Sequence, residues 1–595
     1  MPTLIAVLAL LVALAGCTQP VNQAGGVAGS TTTTTVSTAP VAGGAAGKPF
    51  DDFIEDSFQE LTMRKPELVT GFGLNGAFGI RPDQLNDLSA GYAAETNEVL
   101  TATLSQLRAY EPDGLTADQL ITYRAYHWHL EIQIEAHKFR LQEWPVHFML
   151  NSYNEGANLL FTSIHPLTDR EEVDDFITRL HAIPVQVDQV ITWMEEAENA
   201  GILPPAYVIG VTVDQLVGDI GGGDVDQMPI LQSFLDRLRS LELDTDVAAE
   251  YEQEVRSALE DSFIPSWQKL IEHLEGIEGA NNQVSLSRLP DGDAYYEHLL
   301  RLHTSTDLSA EEIHQLGWDQ ADRIKKEIAD LAAGAGFGEL DAGEFRSVAA
   351  GESGFASGDE VISTYEQLIS GASNSFTEYF NVVPTTPLQI VNDPGPVAYY
   401  VTPAADASRP GQFHAGTGGN PTPRYVMPSL AFHEAVPGHH FQLSVAMESS
   451  LPSPQRFVVS TGHAEGWALY AERLAEEVGL YAGDPLGDFG RLDYELLRAA
   501  RLIVDTGIHY LGWSREDAAR TMSEVMVGDR FIGEIERYAL YPGQATAYMV
   551  GMLEILDLRN ESIGSDDSPE AMAAFHDAII GHGNLPLEVL SRIGK

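Results

Sequence analysis

Beyond residue 49 the apolar positions of this chain recur mostly at helical spacing. Ala248–Ile277, Ser309–Ala333, Asp359–Phe380 and Tyr494–Thr506 each carry apolar residues three and four apart with charges between them. That pattern predicts amphipathic helices. Two entries are marked as capping boxes, Ser309-Ala-Glu-Glu312 and Ser514-Arg-Glu-Asp517. Strand signals are few: Leu388–Val391 and Ala398–Thr402 predict a small β element. Glycine-rich segments at 220–224 and 334–338 break the helical pattern without the strand-and-helix context of a phosphate-binding loop. No period repeats, which argues against a solenoid. The fold class predicted is mainly α. At 595 residues the chain exceeds one compact core. The folded body is expected over 49–595, with an N-terminal half near 49–290 and a C-terminal half near 291–595.

The first residues follow a different pattern. Residues 4–15 form an apolar run too short to span a bilayer but suited to the core of a signal peptide, ending in Leu14-Ala15-Gly16-Cys17. This resembles a bacterial lipobox, which implies a signal peptide over 1–16 and a lipid on Cys17, the single cysteine of the chain. Residues 18–48 are rich in Gly, Thr, Ala and Ser and carry no charge before Lys48. Such a segment cannot bury enough apolar surface to offset its ordering entropy, so residues 17–48 read as a lipidated cysteine and flexible linker, with ends about 30 Å apart. An exported lipoprotein, anchored to the cell envelope through its N-terminus, is the expectation.

Charge narrows the partners. Thirty-four Lys and Arg stand against 87 Asp and Glu, for a formal net charge of −53, within an ordinary globular composition of 44% hydrophobic and 20% charged residues. Such a surface repels phosphate backbones, which excludes nucleic acid as a partner.

The densest chemistry is Leu430-Ala-Phe-His-Glu-Ala-Val-Pro-Gly-His-His-Phe-Gln442. Zinc hydrolases of the His-Glu-x-x-His type set two histidines at i and i+4 on one helical face, with the glutamate beside the activated water. Here the pattern starts at His433-Glu434, but Pro437 occupies i+4. On a straight helix His439 would lie about 120° off the face of His433, and His440 about 10.5 Å along the axis. Neither spacing suits one ion with ligands at about 2.1 Å. Pro437 and Gly438 can bulge two residues out of the helix, which would let His439 take the second ligand position and leave His440 facing substrate or supporting a ligand. His440 as the ligand in place of His439 remains the alternative.

His-Glu-Ala-Val-Pro-Gly-His-His-Phe-Gln resembles the signature of the bacterial DUF885 family, whose members are taken to be metallopeptidases and are often lipoproteins. Glu465-Gly-Trp-Ala-Leu-Tyr-Ala-Glu472, Val504-Asp-Thr-Gly-Ile-His509 with Gly512-Trp-Ser514, and Arg537-Tyr538 with Tyr541-Pro-Gly-Gln544 agree with it. The resemblance covers residues 50–595. By distant similarity the family resembles helical gluzincins such as angiotensin-converting enzyme, oligopeptidases and Taq-type carboxypeptidases. It implies a helical body split by a deep central cleft, with the β element at the cleft edge and one Zn2+ held by two histidines and a downstream glutamate.

On that basis the metal ligands are His433, His439 and Glu465, with Glu472 or Glu476 as supports. Periodicity alone places Glu465 opposite the apolar stripe of its helix, where a solvated acidic face explains it equally well. Small residues Gly462, Ala464, Gly466 and Ala468 around it would admit another helix closely. Glu434 is the expected general base, and Tyr541 and Tyr548 the expected oxyanion donors, with aromatic packing the competing explanation. Asp505 and His509, at i and i+4, would orient a ligand or bind substrate, or form a surface pair. Arg537 would clamp a peptide carboxylate or form a structural salt bridge. His414 is expected to line the cleft, and Trp144-Pro-Val-His147 through Asn151, with Glu155-Gly156, to lie across it. The expected function is zinc-dependent hydrolysis of oligopeptides outside the cytoplasm. A zinc amidase or esterase, or an inactive lipid-anchored binding protein, are the competing readings.

Overall fold

The computed structural model describes residues 47–149, 151–393, 398–417, 421–528 and 532–593. The expected signal peptide, Cys17 and the expected linker as far as residue 46 lie outside them. The described chain is mainly helical, with two small sheets.

The helices that frame the site are α1 (Phe50–Met63), α2 (Pro66–Phe72), α3 (Ala90–Leu107), α4 (Ala117–Ala136), α5 (Gly292–Thr304), α6 (Ala310–Gly334), α7 (Met427–Glu434), α8 (His439–Glu448), α9 (Thr461–Glu477), α10 (Pro485–His509), α11 (Ile532–Leu540) and α12 (Ala547–Ile563). Helix α6 begins as its sequence predicts: the Ser309 hydroxyl accepts from the Glu312 N–H and the Glu312 carboxylate accepts from the Ser309 N–H. Ser514 caps the helix Arg515–Met526 by accepting from the Asp517 N–H, and its hydroxyl donates to the Asp517 carboxylate, so the box is only half formed. The expected helix over 248–277 is a continuous rod, Thr245–Ala258 and Ile264–Glu275 joined by a π turn at Leu259–Phe263. The helix from Asp359 stops at Ser373, short of Phe380. Helix α10 is longer than its apolar spacing suggests because its charged residues are buried in pairs, among them Arg501 with Glu534 at 3.0 Å.

The three-stranded sheet holds β1 (Leu388–Asp393), β2 (Tyr399–Val401) and β3 (Gly411–Gly416), with β3 central. β1 pairs with β3 in parallel, Val391 opposite His414, and β2 pairs with β3 antiparallel, Tyr399 opposite His414. Strand β3 carries no β-branched residue and a glycine at each end, so composition hides it.

Two adjoining cavities share Gln133 and Leu302 in their walls, and neither is lined by His433, Glu434, His439 or Glu465. The larger, about 210 Å3, lies among α1, α2, α3 and α4 and reaches Val459 and Thr461. The smaller, about 120 Å3, is bounded by Trp144, His147, Asn151, His303 and Tyr541. No helix among the described residues is long and apolar enough to cross a membrane.

Candidate metal centre

The His433-Glu434 segment ends α7, and His439 opens α8. Residues 435–438 do not bulge out of one helix; they break it in two. Ala435 leaves the helical region at φ −108°, ψ −99°, and Gly438 sits at φ −76°, ψ −134°. A Cβ on Gly438 would fall 1.9 Å from the His433 carbonyl oxygen, so only glycine lets the chain double back this closely. Trp467 Nε1 donates to the Pro437 carbonyl at 2.8 Å and ties the turn to α9. The outcome is the one the spacing required: the imidazoles of His433 and His439 stand 4.8 Å apart, nearly perpendicular.

Helix α9 brings the carboxylate. Gly466 and Gly551 meet with no room for a side chain, since a Cβ on Gly466 would lie 2.4 Å from the Gly551 carbonyl carbon. That contact presses α9 against α12. The small residues flanking Glu465 therefore serve the close helix approach that their sequence suggested. Helix α9 has no solvated acidic face at Glu465: almost every residue from Thr461 to Ala475 is buried. Glu476 is exposed and takes no part.

His433, His439 and Glu465 offer one ligand atom each, all within 4.8 Å of one another. His433 Nε2 lies 3.5 Å and His439 Nε2 3.4 Å from Glu465 Oε2. Ligands at about 2.0–2.2 Å on a tetrahedral ion stand about 3.3–3.6 Å apart. Both nitrogens and both Glu465 oxygens are fully buried without a hydrogen-bond partner, as are both oxygens of Glu434. Orphaned polar atoms at this density are costly unless something binds them. The residues fit a divalent ion such as zinc.

The surroundings are equally specific. Glu472 Oε1 lies 2.8 Å from His433 Nδ1 and 3.4 Å from Arg498 Nη2, and the Ser429 hydroxyl bonds its other oxygen. Burial opposes the His433 imidazolium, but Glu465 and Glu472 outweigh it and push the group up to about 9. Burial pushes the Glu434 carboxyl up to about 8, against the pull of His433. Burial also opposes ionisation of Glu465, yet the two histidines hold it well below the carboxylate range. This pocket is built to hold positive charge between its carboxylates, as a proton or as a metal.

His440 lies outside the ligand group. Its Nδ1 is 3.0 Å from the Tyr400 hydroxyl, and burial lowers it to about 4. Tyr548, on α12, stacks on His433 with ring centroids 6.2 Å apart, and burial together with nearby Glu465 raises its hydroxyl, which stays protonated. Tyr541 lines the smaller cavity against the edge of His303, at 5.3 Å, and is likewise raised by burial. Arg537 has no carboxylate within 4.0 Å among the described residues, so the structural salt bridge is not formed; its Nη2 donates to Tyr548 at 3.1 Å and to Gln544.

Asp505 and His509 are not a surface pair and do not reach the ligands. Asp505 accepts from the Tyr296 hydroxyl at 2.6 Å and the Gly543 N–H at 3.0 Å, which fixes the Tyr541–Gln544 turn. His509 binds the Tyr538 carbonyl at 2.9 Å and accepts from the Leu286 N–H. His414 stacks on Tyr399 and pairs with Asp393 at 3.2 Å, in the wall of neither cavity described above. Trp144, His147 and Asn151 line the smaller cavity together with Tyr541, and Gly156 the larger. Glu155 instead accepts from Gln215 Nε2 at 2.6 Å. Sequence reasoning missed Ser429, Tyr400 and Arg498. It also missed Gln442, buried with neither amide atom bonded, whose only signal was its place in the His-Glu segment.

Comparison with known proteins settles the family. Residues 66–593 match the model of DUF885, bacterial proteins of unknown function. The chain belongs to the DUF885 family. A solved structure of a candidate lipoprotein from Colwellia psychrerythraea matches with a TM-score of 0.82 at 25% identity, covering 91% of this chain and 97% of that one. A second, a candidate lipoprotein of unknown function from Shewanella oneidensis, matches with a TM-score of 0.66 at 18% identity, covering 92% and 99%. No curated protein matches. Both solved structures share the mainly α fold with this chain over nearly its whole length.

Proposed function

We propose that this DUF885 protein is a zinc-dependent hydrolase that cleaves peptide bonds of oligopeptides outside the cytoplasm, carried on an N-terminal lipid anchor. The observation that supports the chemistry most directly is the buried set of unbonded ligand atoms on His433, His439 and Glu465, with the unbonded carboxylate of Glu434 beside it. The candidate lipoproteins among the solved structures support the anchor.

Zinc, when bound, supplies Lewis acidity that brings a water toward ionisation and polarises a carbonyl. The chain's own residues do the rest. Glu472 takes the Nδ1 proton of His433 in a hydrogen bond and so leaves Nε2 as the lone-pair donor. Glu434, its proton affinity raised by burial, accepts a proton from the attacking water and returns it to the leaving amine. Tyr548 and Tyr541, kept neutral, donate hydrogen bonds to the oxyanion. Arg498 offsets the charge of Glu472.

Metal analysis of the purified protein and hydrolysis of a peptide library by wild type and Glu434→Gln test this reading. One zinc per chain is expected in both, with activity of the variant lower by about 10²–10⁴-fold. A wild type without zinc, or a variant as fast as wild type, sinks it. Hydrolysis of cell-wall amides or esters with inert peptides would favour the amidase or esterase alternative.

A further inference from the structure

Glu143 lines the smaller cavity, in the chain that follows α4, and is the only carboxylate among its described lining residues. It makes no hydrogen bond and no ion pair among the described residues. The residue is half-buried, yet burial pushes its carboxyl up to about 7. What it exposes therefore opens into the cavity and not into bulk water. Lys65, in the wall of the larger cavity, is the one described charge that pulls the other way, and it does not offset burial. Buried acids elsewhere, such as Glu534 with Arg501 and Asp493 with Arg346, are paired in place. A carboxylate withdrawn from water without donors is costly unless a ligand brings the opposite charge.

The walls around Glu143 suit a cation. Trp144, Phe139 and Tyr295 stand in them, the last two with ring centroids 5.5 Å apart, and aromatic faces attract ammonium and guanidinium groups. Gln142 and Asn151, in the same lining, commit their amide nitrogens to the Pro290 and Leu540 carbonyls. Their oxygens are left as acceptors without a partner. His147 and His303 are held neutral by burial, both down to about 3, and His298 is lowered likewise, so none of them supplies the missing charge. Arg288 is the one guanidinium in the lining; its Nη2 donates to the Leu203 carbonyl at 2.7 Å, and its charge is not among those that act on Glu143. A volume of about 120 Å3 leaves room for a side chain of several heavy atoms.

The cavity adjoins the candidate metal centre through two residues of its wall. The Tyr541 hydroxyl feels both Glu143 and Glu465. His303 Nδ1 lies 3.5 Å from the hydroxyl of Thr461, the first residue of α9, and Glu465 stands one turn further along that helix.

We infer that the smaller cavity is a cation subsite of the hydrolase, in which Glu143 receives an ammonium or guanidinium group of the peptide substrate between aromatic walls. This rests on the hydrolase reading above and names its substrate class: peptides with positive charge near the cleaved bond, on a Lys or Arg side chain or on a free N-terminus. The net charge of −53 draws the same peptides toward the protein.

The test measures binding apart from turnover. In zinc-loaded Glu434→Gln, an alanine pentapeptide blocked at both ends is titrated calorimetrically, beside the same peptide with a free N-terminus. Blocked peptides in which one Lys, or one norleucine, is walked along the chain complete the set. A cation carrier is expected to bind about tenfold or more tighter than its neutral counterpart. Preference for the free N-terminus assigns the subsite to the α-ammonium, and preference for Lys over norleucine assigns it to a side chain. Glu143→Gln in that background should erase the preference and Glu143→Asp should restore part of it, with cooperative thermal unfolding retained by both. Equal affinity for charged and neutral peptides, or a preference that survives Glu143→Gln, overturns the inference. Should Glu143→Gln fail to fold, the unaltered Glu143 protein decides at about 1 M salt, where the screening length is about 3 Å. A preference kept there belongs to the cavity, and one that disappears belongs to the acidic surface and refutes the subsite. Either refutation leaves the hydrolase intact, whereas absence of zinc or of all hydrolysis in the wild type would remove the reading beneath it.

Discussion

Glu472 Oε1 lies 2.8 Å from His433 Nδ1, on the side of the ring away from Glu465. The two carboxylates, seven residues apart on α9, thus grip one imidazole from both nitrogens. In the proposed centre Glu465 would belong to the ligand set, while Glu472 would fix the tautomer and the ring plane. Replacing Glu472 with Gln keeps the shape but weakens the pull on the Nδ1 proton. Zinc affinity is expected to fall about 10–100-fold, measured by competition with a chromophoric chelator. Unchanged affinity would show that His433 is oriented by packing alone.

The turn at Gly438 is the most sterically exacting point of the centre. Gly438→Ala would push a methyl into the His433 and Phe432 carbonyls, at 1.9 and 2.4 Å. Relief requires moving the start of α8, and His439 with it. We expect a loss of about 1–3 kcal/mol of stability together with substoichiometric zinc. Gly334→Ala, at the end of α6 where a Cβ meets nothing within 4 Å, is the matched control and should do neither. Full zinc occupancy in Gly438→Ala would mean the second ligand does not depend on this turn.

These particulars show what could be read from the chain and what could not. The Ser309 cap, the helical rod over 245–275 and the need to depart from a straight helix between His433 and His439 were legible because each follows from local geometry, although the departure is a break and not the bulge expected. The status of Glu465 was not. Apolar periodicity reports where a helix changes from core to water, and α9 has core on every side, so its acids mimic a solvated face. The same holds for Arg491, Arg498 and Arg501 on α10, buried charges whose carboxylate partners come from other turns or other helices. Strand β3 was hidden for another reason: its composition is that of a loop, and neighbouring strands on both sides supply its order.

Tyr548 and Tyr541 present their hydroxyls differently. Tyr548 is fully buried, stacked on His433 and bonded to Arg537, while Tyr541 borders the cavity. If both donate to the oxyanion, Tyr548→Phe and Tyr541→Phe should each lower kcat by about 10²–10³-fold with little change in KM. Steady-state kinetics on one peptide checks this. A variant that raises KM alone has lost ground-state binding, and its tyrosine is not an oxyanion donor.

His509 gives a pH test that is independent of the metal. Burial holds its imidazole down to about 4, and both nitrogens are committed, one to the Tyr538 carbonyl and the other as acceptor from the Leu286 N–H. A second proton would break the Leu286 bond. In the unfolded chain the same group titrates near 6.5. The folded value is thus depressed, so the contribution of neutral His509 is whole above about 6.5 and is lost as pH falls toward 4. His509→Asn keeps a donor and an acceptor but cannot titrate. Its stability deficit, measured by denaturant unfolding at pH 7.5 and at pH 4.5, should shrink at the lower pH by about 2–3 kcal/mol. A deficit that stays constant between the two would mean that His509 takes up its proton without leaving the fold.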